Sequence, residues 1–158
     1  MAIQHPANRE KALQKLRHYC AYQERSHQEV KAKLQALGVW KNDQDQIMAQ
    51  LIEENYLNEE RFAIQFSGGK FRTRQWGKLK IQYALKQKQV SDYCIHKALS
   101  QIDPGDYMDT LQRIAHTKWN ALSDEQNSFS RAGKLRNYLY TKGYEPALVH
   151  QTIQTLIR

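Results

Sequence analysis

The chain has 158 residues, a quarter of them charged, with 24 Lys and Arg against 16 Asp and Glu and a net charge of +8. That length supports one ordinary domain with a sizeable core, but three independent domains of about 50 residues would each have too little to bury. Apolar runs stay short, including in the opening MAIQHPANRE, so neither a signal peptide nor a membrane span is expected and the cytoplasm is the expected compartment. Two distant cysteines, Cys20 and Cys94, lack C-x-x-C spacing and are expected as reduced core residues.

All the predicted elements are helical. Leu13, Leu16 and Cys20 form the apolar stripe of a first helix over residues 9–23. Ser26 and Glu29 then make a capping box opening a second helix with Val30, Leu34 and Leu37, which Gly38 closes. A polar stretch, residues 41–44, leads to a third helix bearing Ile47, Met48, Leu51 and Ile52. Asn58 is a good N-cap for the next, Glu59 and Glu60 suit its dipole, and Phe62, Ala63 and Phe66 form its stripe. Gly68 and Gly69 are expected to end or bend it. Residues 76–88 form a further helix, and Ser91 caps another that holds Ile95, Ala98, Leu99 and Ile102. Asp103-Pro104-Gly105-Asp106 is the clearest linker. Beyond it Leu111, Ile114 and Ala115 start a final set, whose second helix runs into Gly143 and whose last opens with Pro146 at its first position.

One pattern recurs three times. KLQALGV at 33–39, ALKQKQV at 84–90 and YLYTKGY at 138–144 each place a leucine four residues before a turn position (Gly38, Gln89, Gly143) and one apolar residue after it. An i,i+4 apolar pair follows each copy: Ile47 and Leu51, Ile95 and Leu99, Val149 and Ile153. The copies lie 51 and 54 residues apart. The expected fold is therefore all-α, three tandem three-helix repeats over residues 1–55, 56–103 and 104–158 that form an elongated array.

Charge is concentrated in the middle repeat. Residues 61–91 hold eight basic side chains and no acidic one, while the rest of the chain balances. A like-charged stretch of that length repels itself unless a polyanion or an acidic protein surface is its partner. Phe71 and Trp76 alternate with Lys70, Arg72, Arg74 and Lys78; the rings are expected to pack, the cations to contact DNA or an acidic protein groove.

Catalytic signatures are missing. The sequence has no phosphate-binding loop, no G-x-S-x-G and no H-E-x-x-H, and its six histidines (His5, His18, His27, His96, His116, His150) lack metal-ligand spacing. Glu53-Glu54 and Glu59-Glu60 fall at predicted helix ends rather than in a magnesium site. The third helices begin with Asn42-Asp43, Ser91-Asp92 and Glu145-Pro146, which is unsuited to sequence-specific reading of a DNA groove. No catalytic residue, metal or cofactor is expected.

The chain resembles the RecX regulatory proteins of bacteria in Arg25-Ser26 with Glu29, Lys33-Leu34 and Gly38, in Tyr56-Leu57-Asn58-Glu59-Glu60-Arg61-Phe62-Ala63, and in Gly77 ahead of Leu85 and Val90-Ser91. The likeness implies a curved body of three helical repeats and a non-enzymatic regulator of recombination and DNA repair. Such proteins lie along the RecA filament on single-stranded DNA and limit its growth, ATP hydrolysis and strand exchange. Direct, sequence-independent DNA binding is the alternative. The candidate contact residues are Lys70, Arg72, Arg74, Lys78, Lys80, Lys86 and Lys88, with Arg131, Lys134 and Arg136 as a second patch. A monomer is expected, with no membrane partner. Gln89 departs from the glycine usual at its position, so the turn after Lys88 is expected to be wound differently.

Overall fold

In the computed structural model, residues 6–158 are described; residues 1–5, His5 among them, lie outside the described residues. Nine helices and no strand occur among the described residues: α1 (Pro6–Tyr22), α2 (His27–Ala36), α3 (Lys41–Glu53), α4 (Glu59–Arg74), α5 (Lys78–Gln87), α6 (Asp92–Ser100), α7 (Pro104–Ala121), α8 (Ser128–Lys142) and α9 (Pro146–Ile157). The chain is all-α, and its helix starts follow the expected chemistry. Ser26 Oγ accepts from Glu29 N, Asn58 Oδ1 from Arg61 N, and Ser91 Oγ from Cys94 N, so each satisfies an N–H that the first turn leaves unpaired.

By packing, the chain divides into two compact units, Met1–Gln65 with Leu85–Lys97, and Phe66–Ala84 with Ala98–Arg158. In the first, Leu13, Leu16, Val30, Leu34, Ile47 and Leu51 are among the residues of one buried cluster, with Tyr19, Leu37 and Tyr56 against its edge. Arg61 ties its chain turns together. Its guanidinium meets Glu24 Oε1 at 2.5 Å, Asn55 Oδ1 at 3.2 Å and Asn55 O at 3.0 Å, holding Asn55 at a φ of 66°. In the second, α7, α8 and α9 pack together around buried Leu111, Ala115, Leu135, Leu139, Val149 and Ile153. Each such leucine or isoleucine is worth roughly 1.5–3 kcal/mol when fully withdrawn from water.

The thrice-repeated sequence is a thrice-repeated turn. Val39 N donates to Leu34 O at 3.1 Å, Val90 N to Leu85 O at 3.1 Å, and Tyr144 N to Leu139 O at 3.2 Å. The turn residues Gly38, Gln89 and Gly143 have φ of 74°, 62° and 98°. These are Schellman closures, with a left-handed residue past the helix end. The expectation of a different winding at Gln89 is thus corrected. Its left-handed backbone costs roughly 1–2 kcal/mol, and the same closing bond and the burial of Val90 hold it there.

Two further expectations change. Gly68 and Gly69 do not end α4, which continues to Arg74. The buried apolar side chains Phe62, Ala63 and Phe71 of this helix outweigh the roughly 1 kcal/mol that each glycine costs it. Asp103-Pro104-Gly105-Asp106 is not a linker but a helix start: Pro104 is the first residue of α7 and Asp103 Oδ2 accepts from Asp106 N at 2.9 Å. No helix among the described residues is long and apolar enough to cross a membrane.

Candidate partner-binding surface

In the second unit, the end of α4 meets the start of α5 and the end of α8. Gln75, at a φ of 55°, terminates α4, and Arg72 and Arg74 occupy its last turn, where cations suit the carbonyl end of the dipole. Trp76 follows, half-buried, edge-on to Phe66 with ring centroids 6.4 Å apart. The ammonium of Lys70 stands 5.1 Å from the Trp76 ring and that of Lys80 4.8 Å from it, and Lys78 Nζ lies 5.0 Å from the ring of Tyr107. Lys142 brings its ammonium to Arg74 O at 3.0 Å. Cations and rings here form one cluster, with each aromatic face stabilising a positive charge.

Backbone contacts fix the cluster. Gly77 N donates to Lys142 O at 2.7 Å and Leu79 N to Gly143 O at 2.9 Å, so the unpaired N–H groups opening α5 meet the unpaired carbonyls closing α8. Lys78 N donates to the Tyr107 hydroxyl at 2.9 Å, which itself donates to Glu145 Oε1, while the Tyr144 hydroxyl donates to Gln75 O at 2.9 Å. Burial pushes both phenols above their ordinary range, with Glu145 adding to the effect at Tyr107, so both remain donors at neutral pH. A Cβ on Gly77 would stand 2.3 Å from Gly143 C and 2.5 Å from Tyr144 N. Only glycine permits that approach.

The sequence-derived candidates fall into distinct environments. Arg72 and Arg74 are exposed, and among the described residues neither guanidinium has a hydrogen-bond or ion-pair partner. Lys70, Lys78 and Lys80 are half-buried on rings. In the other unit, Lys86 is exposed and Lys88 Nζ lies 3.6 Å from Glu29 Oε1. The proposed second patch is engaged internally: Arg131 stacks 3.9 Å over Trp119 and donates to Trp119 O, and Lys134 pairs with Glu125 at 2.7 Å. Arg136 is half-buried. Sequence reasoning missed Lys142, Tyr107 and Glu145, because nothing local marks residues that act across thirty to seventy positions.

Burial raises the Cys20 thiol to about 11, well away from a reactive thiolate. His116 and Arg113 line a groove of about 500 Å³ between α7 and α9. The hydroxyls of the three threonines there donate to carbonyls of their own helices, Thr117 to Arg113 O, Thr152 to Leu148 O and Thr155 to Gln151 O. Among the described residues no group of three His, Cys, Asp or Glu could hold a metal ion.

Residues 58–99 match the family described as RecX, second three-helix domain. The chain is 34% identical over 122 residues to the regulatory protein RecX of Clostridium perfringens strain 13, covering 77% of this chain and 57% of that one. It is 28% identical over 147 residues to the regulatory protein RecX of Prosthecochloris aestuarii, 93% of this chain and 94% of that one. It thus spans little more than half the length of the Clostridium perfringens relatives. A crystal structure of RecX from Lactobacillus salivarius superposes with a TM-score of 0.87 at 22% identity, over 96% of this chain and 98% of that one.

Proposed function

The chain belongs to the RecX family, and on that premise we propose that it is a non-enzymatic regulator that binds the RecA recombinase filament on single-stranded DNA. By occupying the filament it restrains growth, ATP hydrolysis and strand exchange, and so modulates recombination and DNA repair in the cytoplasm. The observation that carries this reading is the acid-free stretch 61–91, from which Arg72 and Arg74 reach solvent unpaired while Lys70, Lys78 and Lys80 are held in place by rings. A polymer of identical protomers offers the same surface at regular intervals, and several weak contacts along it add up by raising effective concentration. The division into repeats 1–55, 56–103 and 104–158 belongs to the same proposal, supported by the identical closures at Gly38, Gln89 and Gly143.

Titration of the protein into RecA, single-stranded DNA and ATP tests the reading: hydrolysis falls as the protein is added. Unchanged hydrolysis at molar excess refutes it. A parallel titration of the DNA without RecA identifies direct binding, whose affinity would fall with salt at a logarithmic slope of about 0.7 per phosphate neutralised.

A further inference from the structure

Helix α5 carries two apolar stripes, and the core uses one. Ile81 and Leu85, at i,i+4, are fully buried. Leu79 and Tyr83, also at i,i+4, lie on the other side of the helix and are 45% and 66% exposed. A second stripe left this exposed adds little burial to the core and costs solubility, which is why exposed apolar faces mark contact surfaces. Tyr140, 43% exposed, belongs to the same junction, because Leu79 N donates to the carbonyl of Gly143, the residue that closes α8 one turn after it.

We propose that this outer face of α5, in its frame of cations, is a docking surface for an acidic protein segment bearing an apolar anchor, and not for nucleic acid. The surroundings select the charge of the occupant: Arg72, Arg74, Lys78 and Lys80 precede or interleave with the stripe, and no carboxylate occurs between residues 61 and 91. The stripe selects its chemistry. Tyr83 is the one ring α5 exposes, but Leu79 one turn before it has no face on which a base could stack, and the ring of Trp76 already has the ammoniums of Lys70 and Lys80 against it at 5.1 and 4.8 Å. Phe71 and Tyr107 are buried. A leucine, phenylalanine or methionine of the partner seats on Leu79 and Tyr83, while carboxylates beside it meet the lysines. A buried apolar and tyrosyl contact ringed by charge is the usual anatomy of an energetic centre in a protein interface.

The inference rests on the preceding reading only in taking RecA as the source of the segment, and the test separates the two. The double variant Leu79→Ser, Tyr83→Ser changes exposed side chains and leaves Ile81 and Leu85 in place. Its affinity for RecA filaments held by a non-hydrolysable ATP analogue should fall about tenfold, with the loss persisting at high salt. Its affinity for the single-stranded oligonucleotide alone should not change. Filament binding equal to wild type, or an equal loss on the oligonucleotide, overturns the proposal. In every case a third titration uses short synthetic peptides, one of Glu and Leu and one of Glu and Ser. The wild type must prefer the leucine peptide and the double variant must not; absence of that preference overturns the docking surface. Failure of the wild type to bind filaments, with the peptide preference intact, overturns only the assignment to RecA.

Discussion

Replacing Gly77 by alanine should loosen the meeting of α5 with α8. The backbone of Gly77 is not in the left-handed region, so alanine meets no conformational objection, and only space decides the outcome. A Cβ there would lie 2.3 Å from Gly143 C and 2.4 Å from Gly143 O, both main-chain atoms that cannot rotate away. Relief requires the strands of backbone to separate by about 1 Å, since carbon atoms settle near 3.5 Å. That movement strains the bonds Gly77 N to Lys142 O and Leu79 N to Gly143 O. Their loss costs about 1 kcal/mol each, and crowding of the buried Tyr144 backbone adds roughly 1–3 kcal/mol. The smaller entropy of the unfolded alanine chain returns about 0.4–1 kcal/mol. The net is a destabilisation of about 2–4 kcal/mol, or a fall in Tm of roughly 5–15 °C by circular dichroism. Gly69→Ala is the control: a Cβ there meets nothing within 4 Å in mid-α4, so it should stabilise by about 0.5–1 kcal/mol. A neutral Gly77→Ala beside a stabilising Gly69→Ala would refute the close approach.

Gln89→Gly should stabilise by up to about 1 kcal/mol by removing the left-handed penalty at φ 62°, and a loss of stability in urea would show that the glutamine is not strained. Leu85→Ala, at a fully buried site, should cost about 2–5 kcal/mol; a change below 1 kcal/mol would deny that Leu85 belongs to a packed core. Reversing Arg72, Arg74 and Lys78 to glutamate should abolish most filament binding in a sedimentation assay with little effect on helical content, and retention of wild-type binding would discard this surface. Arg17, through two bonds of 2.9 and 2.8 Å, holds the Glu54 carboxyl below its ordinary range. A depressed folded-state pKa contributes stability above the unfolded value, near 4.5, and loses it as the pH falls further. The wild type should therefore exceed Arg17→Met in stability at pH 7 and converge with it below pH 4; a pH-independent difference would contradict the pairing.

What the sequence made legible was local. Leucine and turn residue at fixed spacing announced the closures at Gly38 and Gly143, and Ser26, Asn58 and Ser91 announced helix starts, because capping joins residues three to five apart. At Gln89 the same spacing was a better guide than residue identity: a penalty of roughly 1–2 kcal/mol is small against the packing that a whole helix end commits. The same imbalance carried α4 through Gly68 and Gly69. The basic stretch shows where such reading stops. Its eight cations look equivalent in a charge count, yet Arg61 is consumed by Glu24 and Asn55 and Lys88 approaches Glu29. Lys70 and Lys80 rest on Trp76, leaving Arg72, Arg74 and Lys86 exposed. Charge that is paired in the free protein must be unpaired before it can bind, so its contribution to a partner is what remains after that cost. A mutational scan of the stretch should accordingly divide in two: Arg61→Ala should lower stability by stranding the Glu24 carboxylate and freeing the Asn55 turn, whereas Arg72→Ala and Arg74→Ala should lower filament affinity and leave Tm within a few degrees. Uniform losses of affinity across all eight positions, with stability untouched, would mean that the net charge alone attracts the partner and that the placement of individual cations is immaterial.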